Sequence, residues 1–82
     1  MNIKKSVNEI ILDVLEKKIS YKDIKPEALL IETLGADSIQ LLEIALTISA
    51  EFDINVPADE VVELKTVKDV YQFVSEQKGI KI

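Results

Sequence analysis

The residue with the clearest chemical potential is Ser38. It follows Gly35-Ala36-Asp37, and Asp37 with Gln40 forms a D-x-x-Q capping pattern that predicts a helix beginning at Ser38. A serine at a helix start is ordinarily a cap. It is not a hydrolytic nucleophile here, because the chain has no His to serve as its base and no G-x-S-x-G elbow. A phosphodiester on the hydroxyl would suit the position, since unpaired N–H groups and the positive end of the helix dipole favour an anion.

The other reagents of enzymology are missing. Without His, Cys or Arg there is no thiolate, no usual structural zinc ligand set, no disulfide and no bidentate phosphate clamp. A chain so poor in reagents reads as a carrier or binder, with no catalytic residue and no metal. Its 82 residues fit one domain with one core, too small for a large enclosed active site. Apolar residues make up 48% and charged ones 30%, which indicates a folded soluble domain. No run of 18 apolar residues and no signal-peptide stretch is present, so a cytoplasmic address is expected, and the chain is expected to be a monomer.

The net charge of −5 is unevenly distributed. Residues 26–63 carry nine acidic side chains and no Lys, whereas the flanking segments 1–25 and 64–82 are each at +2. Such an acidic centre repels nucleic acid and attracts basic protein surfaces, and it serves equally as a solvated face that aids solubility.

Four helical segments can position Ser38. Ile3, Val7, Ile10, Ile11, Val14 and Leu15 recur at helical spacing over roughly 3–18, with Lys17 and Lys18 in the last turn. Residues 19–36 read as a long connection laid against the core, with a short helical turn near 27–31 and Pro26 barring helix at Lys25. The second helix spans 38–52. Pro57 opens a short acidic helix over 57–63, and a Thr66–Asp69 capping box opens the last helix, which Gly79 stops with Ile80 packed after it. Strand signals are weak throughout. The expected fold is all-α, a four-helix bundle of three longer helices and one short one.

The second helix carries two apolar stripes. Leu41, Ile44, Ala45, Ile48 and Phe52 form one, and Ile39, Leu42, Leu46 and Ala50 form another. A surface helix needs only one. Either the helix is central and buries both, or the second stripe is a docking patch bordered by Asp37, Glu43 and Glu51.

Leu34-Gly35-Ala36-Asp37-Ser38-Ile39, Leu42-Glu43, Glu51-Phe52-Asp53 and Val56-Pro57 closely resemble the acyl carrier proteins. Ile24 and Thr66-Val67 agree in spacing, so the resemblance covers nearly the whole chain. It implies a single carrier domain over 1–82, a right-handed four-helix bundle, and a 4′-phosphopantetheine arm placed on Ser38 from coenzyme A by a phosphopantetheinyl transferase. The arm's thiol would carry acyl groups as thioesters between enzymes of fatty-acid, polyketide or related specialised biosynthesis. The resemblance also implies docking of basic partner enzymes through Asp37, Ile39, Leu42, Glu43 and Leu46. It offers Leu41, Ile44, Ala45, Val61 and Leu64 as an acyl-chain lining, for which core packing is an equal reading. Ile39, Gln40, Ser49 and Ala50 depart from the commoner residues of fatty-acid carriers. A weaker acidic stripe implies looser docking to basic fatty-acid-synthase partners, which points towards a free-standing carrier of a specialised pathway and leaves the general fatty-acid role open. A peptidyl or D-alanyl-type aminoacyl carrier and an unmodified acidic interaction module are the alternatives.

Overall fold

The computed structural model describes residues 2–16 and 18–80. The first helix, α1 (Ile3–Val14), is capped by Asn2, whose Oδ1 accepts from the Lys5 N–H at 2.9 Å. Its period buries Ile3, Val7, Ile10 and Ile11. The helix stops a turn short of the expected boundary at 18. Leu15 is its C-cap, and Glu16 turns into the left-handed region at φ 58°. Lys18 therefore lies beyond the helix, and Lys17 lies outside the described residues. No glycine marks this stop, so composition gave no warning of it.

The connection from 19 to 36 does lie against the core, burying Ile24, Ala28, Leu30, Leu34 and Ala36. Its helical turn comes earlier than expected, as a 3₁₀ turn at Tyr21–Asp23. There the Ser20 N–H donates to Asp23 Oδ2 at 2.9 Å. Residues 26–30 run beside the start of the last helix instead. The Leu30 N–H donates to Lys65 O at 2.9 Å, the Val67 N–H to Ala28 O at 3.0 Å, and the Lys68 N–H to Pro26 O at 2.9 Å. Leu29 and Thr66 form an isolated bridge, and no longer strand occurs among the described residues.

The remaining helices are α2 (Ser38–Phe52), α3 (Ala58–Val61) and α4 (Val67–Lys78). Pro57 is the N-cap of α3, which lies inside the expected 57–63. At α4 the expected box is present: the Asp69 N–H donates to Thr66 Oγ1 at 3.1 Å and the Thr66 N–H to Asp69 Oδ2 at 3.0 Å. Gly79 ends α4 at φ 66°. Ile80, expected to pack after it, is exposed, although its N–H donates to Ser75 O at 3.0 Å.

Helix α1 packs against both α2 and α4, while α3 packs on α2. The centre holds Val7, Ile11, Leu30, Ile44, Ile48, Val67, Val70 and Val74, all essentially inaccessible. Fully burying such side chains contributes about 1.5–3 kcal/mol each, so the core outweighs any single cap. One polar pair joins it: the Tyr71 hydroxyl donates to Asn8 Oδ1 at 2.5 Å, linking α4 to α1.

Candidate functional site

The head of α2 is built by the turn before it. The Thr33 and Leu34 N–H groups both donate to Leu29 O, at 2.9 and 3.0 Å, and the Gly35 N–H donates to Ile31 O at 3.0 Å. The Ala36 N–H closes the turn on Leu30 O at 2.9 Å. Leu34 and Ala36 are buried on either side of Gly35, which adopts φ 80°. A Cβ on Gly35 would meet nothing within 4 Å, so the need for glycine lies in the backbone conformation and not in space.

Asp37 then caps α2. The Gln40 N–H donates to Asp37 Oδ1 at 2.7 Å, and the Asp37 N–H donates to Gln40 Oε1 at 3.0 Å. The Leu41 N–H begins the helix ladder on Asp37 O at 2.9 Å. Because Asp37 fills the capping role, Ser38 is the first helical residue and not the cap. Ser38 is exposed, and its hydroxyl has no hydrogen-bond partner among the described residues. The first turn of α2 also contains no acidic residue. An accessible hydroxyl, with neither a structural duty nor a base beside it, can receive a group from an outside enzyme but cannot hydrolyse anything itself.

The second apolar stripe faces solvent. Ile39 is 70% exposed, Leu46 62% and Leu42 48%, while Ile44, Ala45, Ile48 and Phe52 face the core. Helix α2 is therefore not a central helix burying two faces. Asp37, Glu43, Ala50 and Glu51 are exposed around the stripe. Val62, after α3, and Ile31, before the glycine turn, extend the apolar surface. Neither was legible as a surface residue, because one follows a one-turn helix and the other lies in an aperiodic loop.

Beside this face is a cleft of about 200 Å³ lined by Leu29, Ile31, Glu32, Leu41, Val62, Leu64 and Lys65. Leu41 and Leu64 of the expected acyl lining border it. Ile44, Ala45 and Val61 are buried and do not. Leu29 and Lys65 reach the cleft through the pairing of residues 28–30 with the start of α4, which no local pattern reveals.

Residues 5–74 match the family model described as a phosphopantetheine attachment site. The chain is also 35% identical over 78 residues to an acyl carrier protein of Nitratidesulfovibrio vulgaris (strain DP4), covering 95% of this chain and all of that relative. The chain belongs to the acyl carrier protein family. Its cofactor is therefore covalently attached phosphopantetheine, and its role is that of a carrier domain. Carriers of this family work with other enzymes and with a phosphopantetheinyl transferase. The residues fit the group: a spare hydroxyl stands where free helix N–H groups favour a phosphodiester. Among the described residues, no helix of this carrier is long and apolar enough to cross a membrane, and no cluster of three or more metal-ligating side chains occurs.

Proposed function

We propose that this acyl carrier protein holds its phosphopantetheine on Ser38 and serves enzymes with basic docking surfaces in fatty-acid, polyketide or related specialised biosynthesis. The observation that carries the assignment is the division of labour at the head of α2. Asp37 fills the cap and leaves the Ser38 hydroxyl exposed and unengaged. In the transfer, the serine oxygen bonds to the phosphorus nearest the pantetheine half of coenzyme A. The pyrophosphate bond breaks, and the adenosine bisphosphate half leaves. The hydroxyl proton goes to a base on the transferase, since the chain has no His and the neighbouring Asp37 carboxylate is engaged as the cap of α2. When attached, the arm supplies a terminal thiol that holds acyl groups as thioesters.

The partner surface is proposed to be Asp37, Ile39, Leu42, Glu43 and Leu46, exposed apolar anchors flanked by carboxylates. Basic partners suit it, since residues 26–63 carry nine acids and no Lys. The cleft bounded by Leu41 and Leu64 is the proposed resting place of the acyl chain, with Leu29, Ile31 and Val62 supplying its remaining apolar wall. The proposed unit is one carrier domain over residues 1–82, working as a monomer in the cytoplasm.

The test is intact-protein mass after incubation with coenzyme A and a promiscuous transferase. One phosphopantetheine increment is expected for the wild type and none for Ser38→Ala. An unchanged wild-type mass overturns the assignment. Loading of the resulting form by an adenylating enzyme with an amino acid, but by no acyl donor, would move the cargo to the aminoacyl class.

A further inference from the structure

We infer that Gln40 is a positioning residue for the attached phosphodiester: it completes the cap at the head of α2 without adding charge, leaving the helix dipole to the group on Ser38. The inference rests on the proposed attachment at Ser38. Gln40 is half-buried at the third helical position, with its Oε1 accepting from the Asp37 N–H at 3.0 Å. A carboxylate can make the same bond, as Asp69 does with the Thr66 N–H, and would also meet the dipole. Asp59 and Glu60 stand in the first turn of α3 and Asp69 in that of α4, whereas the first turn of α1, like that of α2, holds no acid. The first turn of α2 has none, although it lies in the segment where all nine charged residues are acidic.

The physical consequence concerns the group attached two residues earlier. A phosphodiester carries one negative charge at neutral pH, and Asp37 already contributes another beside it. With a neutral Gln40, the arm adds its charge to a helix end with a single neighbouring carboxylate, and the dipole stabilises it. With an acid at this position, the same dipole would already be met, and the arm would add repulsion instead. Gln40 thus makes attachment favourable to the fold without loosening the turn that presents the serine.

Thermal unfolding of the unmodified and arm-bearing full chain, each verified by mass, tests this for the wild type, Gln40→Glu and Gln40→Met. At low salt the wild type should gain about 2–5 °C on receiving the arm. Gln40→Glu should be at least as stable as the wild type when unmodified, yet lose most of that gain. The difference should shrink at high salt, where exposed charges are screened. Gln40→Met should be less stable in both forms, having lost the bond to the Asp37 N–H, while keeping the gain. A purely structural cap would move both forms of each variant equally. A Gln40→Glu protein with the wild-type gain at low salt overturns the inference. A wild-type chain that accepts no arm on Ser38 overturns the attachment itself, and is distinguished by its mass before any melting is done.

Discussion

The Leu30 N–H donates to the carbonyl of Lys65 at 2.9 Å, joining the loop that precedes the serine to the segment that starts α4. The residues are far apart in sequence, and the bond is one of three between residues 26–30 and 65–68. It ties the glycine turn, and so the head of α2, to the segment just before α4. The exposed serine therefore stands on a turn held by long-range backbone bonds.

Asp37 and Ser38 should behave as opposites. Asp37→Ala removes a cap and should cost about 0.5–2 kcal/mol in chemical denaturation of the unmodified chain. Ser38→Ala removes an unpartnered surface hydroxyl and should change stability by less than about 0.5 kcal/mol, while abolishing the mass increment. A large stability loss in Ser38→Ala would mean that the hydroxyl has a structural partner after all.

The Gly35 turn gives a second measurement. Gly35→Ala should cost about 1–2 kcal/mol through its left-handed backbone alone, since the added methyl meets no neighbour. Gly35→Asn should cost less, because Asn visits that conformation more readily. Equal losses for the two would point to a steric cause.

Tyr71 predicts a pH dependence. Burial pushes its phenol above the ordinary value of 10.0. The folded state then retains this proton at a pH where the unfolded chain has lost it. Stability from this group is complete below about pH 10 and falls as pH rises through the folded value. Tyr71→Phe should remove that alkaline loss. At neutral pH it should cost about 1–3 kcal/mol, because the buried Asn8 Oδ1 loses its donor. Adding Asn8→Leu should recover part of the loss, as both polar partners are then gone. Urea midpoints from pH 7 to 11 would show both effects.

Glu43→Lys reverses a charge on the exposed face of α2 without touching the core. Acyl transfer to or from a basic partner should slow about 3–10-fold at low salt and converge on the wild-type rate at high salt. Stopped-flow transfer rates at two ionic strengths measure this, and equal rates at low salt would remove Glu43 from the docking face.

Much of this was legible in the sequence where the signal is local. The Asp37–Gln40 and Thr66–Asp69 boxes set the starts of α2 and α4, and the all-helical architecture followed from period and caps. Ser38 was legible as a candidate and Asp37 as the cap before it, but the exposure of the Ser38 hydroxyl and its lack of a side-chain partner depend on what packs nearby, which no local pattern encodes. The ambiguity of the second stripe was also real. Leu42 and Leu46 look as buriable as Ile44 and Ile48, and only the packing of α1 against one side of α2 leaves them outside. The early end of α1 and the pairing of 26–30 with α4 depend on one left-handed Glu and on long-range backbone bonds. Neither leaves a periodic trace.

Three backbone bonds between 26–30 and 65–68, with the glycine turn between two buried side chains, tie the head of α2, and with it the proposed origin of the tether, to the start of α4. On the proposed docking face, an enzyme that grips Leu42 and Leu46 would thereby also learn where the cargo line leaves the surface. Delivery then reduces to a search by the line alone over a sphere of known centre. Two enzymes that bind the same face but seat their reaction centres at different depths can share one carrier without asking it to change shape.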